Sequence, residues 1–199
     1  TAVDLGRSDI DIPIINKPHI VFPNDIDYAL IESTCGGHLH KNCIETREEV
    51  YEHMKRIDRD KRIGIFGLLS TGRTHSALHD QYWSFQQGTL SDEFMIFLDS
   101  PSAAQQIPLT KKHDEIWDER MLDMMKSKYN LFDHPNLRII RGRDESKALD
   151  KPNMLRKAPF VIDASSGMWS MGNIVRHLKA YVENENVDLF ICSYQAPGT

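Results

Sequence analysis

The sequence has little of what would place it in several protein classes at once. Three cysteines in 199 residues are too few, and odd in number, for a disulfide scaffold, and they fit a reducing compartment. No apolar run approaches the roughly 20 residues that cross a bilayer. Residues 1–11 lack the basic and apolar regions of a signal peptide, so a soluble, cytoplasmic chain is expected. There is no excess of positive charge: 24 Lys and Arg stand against 29 Asp and Glu, a net charge of −5. That balance argues against broad nucleic-acid binding, although Arg138, Arg141 and Arg143 form a local cluster that could meet phosphates. Repeats and low-complexity tracts are missing as well. The 40% of hydrophobic residues is ample for one domain of the usual size, about 100–200 residues.

Along the chain, short β-rich runs bounded by turn residues alternate with amphipathic segments. This alternation predicts an α/β fold, Rossmann-like, with a mostly parallel sheet and helices on both faces. Strands are expected at 18–22, 28–33, 62–69, 93–99, 136–141, 159–163 and 187–193. Helices are expected at 47–57, 113–128 and 170–184, with a short one near 146–155 and another following the loop after the third strand. The first should open on the capping box Thr46-Arg-Glu-Glu49. Residues 1–17 read as an N-terminal linker or arm and 18–199 as the folded domain.

The most chemical segment is the loop after the third strand. Gly67 and Gly72 let backbone approach a ligand closely, Ser70, Thr71 and Thr74 offer hydroxyls, and Arg73 offers a guanidinium fork. A strand running through such a loop into a helix suits a phosphate group. The run Gly67 to Thr74 also matches the phosphate loop G-x-x-x-x-G-K-S/T with Arg in place of Lys, which would give Thr74 a magnesium role in a phosphotransferase. Alternatively the glycines serve only a tight turn. Cys35, His38, His40 and Cys43 form a compact set of soft ligands, a competing zinc reading that His75 and His79 could join.

Read outward from this loop, the order of segments resembles the C-terminal, nucleotide-sugar-binding half of GT-B glycosyltransferases. Pro18-His-Ile-Val-Phe-Pro23-Asn24-Asp-Ile-Asp27 stands in place of the family's interdomain segment, and Gly67 to Thr74 in place of its donor-diphosphate loop. Phe94-Met-Ile-Phe-Leu-Asp99-Ser-Pro101 takes the place of its G-D-G-P strand end, and Ala158 to Ser166 that of its A-D-h-h-h-x-P-S step. The family's paired glutamates after that step have no counterpart here. The resemblance implies a glycosyltransferase domain that needs no cofactor and takes a nucleoside diphosphate sugar as donor. Arg73 would neutralise the diphosphate, and Arg141 and Gly142 would fall at the nucleobase contacts. Ser165, Ser166, Gly172 and Asn173 would supply donors to the phosphates. It also implies a second domain or chain carrying the acceptor site. The alternative expectation is a non-catalytic α/β interaction module that keeps the fold without the site.

Overall fold

The computed structural model describes residues 24–198 except Glu32, Thr34, Cys35, His38, His40, Lys128 and Tyr129. Five strands form one parallel sheet: β1 (Ile63–Gly67), β2 (Met95–Asp99), β3 (Leu137–Ile139), β4 (Phe160–Ala164) and β5 (Val187–Ile191). Their order across the sheet is β3-β2-β4-β1-β5, and every neighbouring pair is parallel. β1 and β4 are buried along their whole length, as central strands covered on both faces must be.

The helices are α1 (Cys43–Arg59), α2 (Arg73–Gln86), α3 (Pro101–Lys112), α4 (Glu119–Lys126), α5 (Arg143–Ala148) and α6 (Asn173–Tyr181). The path from β1 through β2 to β3 moves toward one edge of the sheet, and the path from β3 through β4 to β5 moves back. Right-handed crossovers therefore put the two sets of helices on opposite faces. One core holds Met54, Ile57, Leu78, Ile107 and Met121 against Phe66, Ile96, Leu98 and Val161. The other holds Leu149, Ile174 and Tyr181 against Ile63, Ile65, Phe160 and Ile162. Gly64 allows the close approach of α1: a Cβ there would lie 2.8 Å from both Ile57 Cδ1 and Val161 Cγ1. At the edge, Arg62 grips Asp188 through two hydrogen bonds of 2.8 and 2.9 Å.

Several expected elements shift, each for a local reason. α1 begins at Cys43 because Asn42 caps it, its side chain accepting from the Ile44 N–H at 2.8 Å. The expected capping box at Thr46 is displaced, since the Thr46 hydroxyl donates to Asn42 O and Glu49 pairs with Lys41. α3 was not foreseen: Ser100 caps it and Pro101 occupies its first turn, a helix start that resembles a strand-end loop in sequence. The expected helix 113–128 is broken. A 3-10 turn, Asp114–Ile116, comes first, and α4 starts afresh where Asp118 accepts from the Met121 N–H at 2.9 Å. At 28–33 the described residues hold only a single bridge residue, Ile31, and Tyr28, Leu30 and Ile31 are exposed. The strand expected at 18–22 and the arm at 1–17 lie outside the described residues.

Candidate nucleic-acid interface

A parallel sheet binds ligands at the carboxyl ends of its strands, where connections leave in opposite directions. Here β1 and β2 feed helices on one face while β4, which lies between them, feeds α6 on the other. The crevice that results is lined by the loop after β1, by Ser100 after β2 and by residues 165–172 after β4.

The β1 loop carries most of the expected site. Ser70 Oγ lies 3.4 Å from Ser100 Oγ, which joins the ends of β1 and β2. Gln106 of α3 donates to Thr71 Oγ1 at 2.9 Å. Gly72 has φ of 72° and caps α2 with open space around it, a position that a side chain would strain. Arg73 is exposed and forms no ion pair among the described residues. Thr74 differs: it is buried, and its hydroxyl donates to Leu69 O at 2.8 Å, which closes the loop. That hydroxyl proton thus serves the loop's own backbone. Gly67 is also diverted from ligand approach, because a Cβ there would lie 2.0 Å from Trp169 Nε1. Its missing side chain makes room for an indole.

The loop after β4 folds over the same crevice. Ser165 O accepts from the Ile174 N–H at 2.9 Å, and Ser166 Oγ accepts from the Met168 N–H at 3.3 Å. Gly172, with φ of 78°, could not carry a Cβ, which would meet Ser165 O at 2.6 Å. A Cβ at Gly167 would lie 3.1 Å from Leu69 N, so the two loops are in direct contact. Arg141 and Gly142, at the end of β3, are exposed on the far rim. Two strand spacings, roughly 10 Å, separate β3 from β4. Asn173 turns away from the crevice: its amide donates to Asp99 Oδ1 at 2.9 Å.

Beneath the floor lies a charged network that sequence reading missed. Asp99 Oδ2 receives Ser146 Oγ at 2.5 Å, His177 Nε2 at 2.8 Å and an Arg176 nitrogen at 3.2 Å. His177 Nδ1 meets Asp150 Oδ1 at 2.5 Å, and Arg176 Nε also bonds Asp150. Burial disfavours charge on the His177 ring, but hydrogen bonds to the two carboxylates outweigh it and raise its pKa above the ordinary histidine value. The opposing effects of burial and of the bonds from His177 and Ser146 leave the Asp99 carboxyl below its usual range. A signal existed in the sequence, namely an acid closing the apolar strand 94–99, yet its partners lie between 47 and 78 residues away.

On the other face Asp163 is fully enclosed, and burial pushes its pKa up to about 7 against the opposing hydrogen bond from Gln81. That bond is 2.9 Å long, while Asp163 Oδ2 and Gln81 Oε1 have no hydrogen-bond partner among the described residues. Burial, with Asp163 adding and Arg73 opposing, pushes the nearby Cys192 thiol up to about 12.

No three His, Cys, Asp or Glu side chains converge on a metal-sized space among the described residues. Of the expected zinc set, Cys35, His38 and His40 lie outside those residues, and Cys43 opens α1. His75 packs edge-on to Phe132 with Nε2 3.4 Å from Thr110 Oγ1, and His79 faces Asp80 at 3.2 Å. Both histidines are thus part of the packing around α2.

Comparison with known proteins decides the family of the chain. A family model described as the Beta-Casp domain matches residues 76–199. The chain belongs to the Beta-Casp domain family. It is similar to Ribonuclease TTHA0252 of Thermus thermophilus, 27% identical over 195 residues, which are 98% of this chain and 43% of that protein. It is also similar to the Transcription termination factor FttA of a Lokiarchaeum species, 25% identical over 190 residues, 94% of this chain and 28% of the relative. The chain spans less than half the length of either relative.

Membership of this family overturns the glycosyltransferase assignment and, with it, the nucleoside diphosphate sugar, the metal-free donor chemistry and the expectation against nucleic acid. The phosphotransferase and the non-catalytic module are overturned too. The cause of the error is physical. Any parallel α/β sheet presents backbone donors, hydroxyls and a cation at its strand ends, so a phosphate-suited crevice is common to sugar nucleotides and nucleic acids. No helix among the described residues is long and apolar enough to cross a membrane.

Proposed function

We propose that this chain is the Beta-Casp part of a ribonuclease-type hydrolase and that its crevice holds the backbone of single-stranded RNA. The observation that supports this reading is the exposed Arg73 guanidinium, without an ion pair among the described residues, next in the loop to the hydroxyls of Ser70 and Thr71, with the Ser165-Ser166 turn following the neighbouring strand β4. RNA is a polyanion whose phosphates take charge-assisted bonds from Arg and neutral bonds from hydroxyls. Ser165, Ser166 and the Gly72 turn would orient the strand, and Arg73 would compensate its charge. Asn173 and Gly172 would act from below by holding the β4 loop on Asp99. Arg141 and Gly142 would meet the strand where it leaves the crevice. The folded domain at 18–199 and a cytoplasmic placement belong to the same reading.

Hydrolysis in a nuclease of this family implies zinc, and the described residues do not fit a zinc site. Beneath the crevice, Asp99 and Asp150 already accept from Ser146, Asn173, Arg176 and His177. Asp163 is fully enclosed on the other face with Gln81, outside any group of three metal-ligating side chains among the described residues. No step of the reaction is therefore assigned to a metal on these residues.

Fluorescence anisotropy with a labelled oligouridylate tests the reading. Arg73→Ala should weaken binding by roughly tenfold or more, as loss of one charged hydrogen bond of about 1.5–3 kcal/mol implies. Unchanged affinity would refute the role of the crevice. UDP-sugars should compete no better than free phosphate.

A further inference from the structure

The unpaired cations of the described residues are concentrated in one segment. Around α1 cations are matched, Lys55 with Glu52 at 2.8 Å, Arg56 with Asp188 at 3.3 Å and Arg59 with Asp60 at 2.7 Å, and on α3 Lys111 pairs with Asp133 at 2.5 Å while its neighbour Lys112 has no ion pair among the described residues. In the segment between β3 and β4 the opposite holds. Arg141, Arg143, Lys147, Lys151, Arg156 and Lys157 are all exposed, and none forms an ion pair or side-chain hydrogen bond among the described residues. The acids of that segment are mostly committed elsewhere. Glu145 binds Arg138 at 2.5 Å, and Asp150 is held by Arg176 and His177. Asp144 alone stands exposed among the cations without an ion pair of its own.

Helical geometry aligns this charge. Ser146 and Leu149 are buried and fix the inner side of α5. Arg143 and Lys147, four residues apart, share one exposed side of α5 at a spacing of about 6 Å, and Lys151 follows just past the helix end, immediately before the 3-10 helix Pro152–Lys157. The line begins beside Arg141 at the crevice rim. It follows α5 away from the carboxyl end of β3 toward the start of β4, where the 3-10 helix ends in Arg156 and Lys157. In a protein of net charge −5, such a stripe concentrates positive potential on one path.

We infer that the α5 stripe is a track for nucleic-acid backbone, along which a single strand leaving the crevice at Arg141 runs over Arg143, Lys147 and Lys151. The inference rests on the reading of the crevice given above. Its chemistry is sequence-independent, since Lys and Arg on phosphates position a strand without reading bases. A strand confined to the crevice never reaches the track, so the stripe contributes only to longer substrates. Continuity with the crevice favours RNA over an acidic protein segment.

The test compares short and long oligouridylates on the full chain and on the triple variant Arg143→Ala, Lys147→Ala, Lys151→Ala, with thermal unfolding to verify that the variant folds. For the long oligomer, the slope of log affinity against log salt should flatten by about 2, from about 0.7 for each of three phosphate contacts. The short oligomer should bind both proteins equally, and Lys55→Ala with Arg59→Ala should change neither. Equal slopes for wild type and triple variant, while Arg73→Ala still weakens both oligomers, would overturn the track and leave the crevice standing. Wild type that binds neither oligomer would overturn both. Displacement of the long oligomer by polyglutamate from wild type but not from the triple variant would reassign the stripe to an acidic protein.

Discussion

Two aspartates on neighbouring strands, Asp99 of β2 and Asp163 of β4, are one step apart in register, since Leu98 pairs with Asp163 and Asp99 with Ala164. That single step sends one to each face of the sheet. Asp99 meets Ser146, Asn173, Arg176 and His177 and stays ionised. Among the described residues Asp163 meets Gln81 alone, and burial pushes its pKa up to about 7. Equal chemistry and equal burial thus give opposite charge states, because a buried carboxylate survives only where donors replace the water it has lost. The saturated aspartate anchors the floor of the crevice, and the bare one lies under its other wall beside Cys192.

The contrast breaks most visibly at Asp99. Asp99→Ala leaves His177 and Arg176 with a missing counter-charge, and it should cost about 3–5 kcal/mol, read as a lower urea midpoint with an unchanged slope. Asp163→Asn should act in the opposite sense above neutral pH. The folded state holds a proton on Asp163 to about pH 7, whereas the unfolded chain releases it near 4. The wild type is therefore stabilised most below about pH 4, and it should lose a few kcal/mol as pH rises to about 7.5, at about 1.4 kcal/mol per unit of pKa difference. The Asn variant should show no such decline across that window, measured by denaturant unfolding at several pH values. His177→Gln sharpens the comparison with the smallest change. A raised histidine pKa stabilises fully below about 6.5 and is lost above it as pH passes the folded value. Wild type should therefore decline further in alkaline buffer, and the Gln variant should start lower but stay level there.

The sheet was legible because β1, β2 and β4 are continuous apolar runs between turn residues, and such runs admit few other structures. The β1 loop raised a phosphate expectation for an equally local reason: Ser70, Thr71, Gly72 and Arg73 are consecutive. Legibility failed where distance in sequence decides the role. Nothing local to Asn173 shows that it serves Asp99, nor to Gly67 that Trp169 occupies its space. The identity of the anion failed for a different reason. Hydroxyls and one guanidinium recognise a phosphate group without recording what it is attached to. Of the positive stripe on α5 only its start, Arg141 and Arg143, stands out in the sequence, because net charge sums over faces and the paired cations of α1 conceal the unpaired Lys147 and Lys151.

Hydrogen exchange with and without a saturating single-stranded oligoribonucleotide tests the central claim most directly. The account predicts slowed exchange in residues 68–74 and 165–172, the two walls of the crevice, and little change in α1. Protection confined to other elements, or none at either wall while the oligomer is bound, would contradict it.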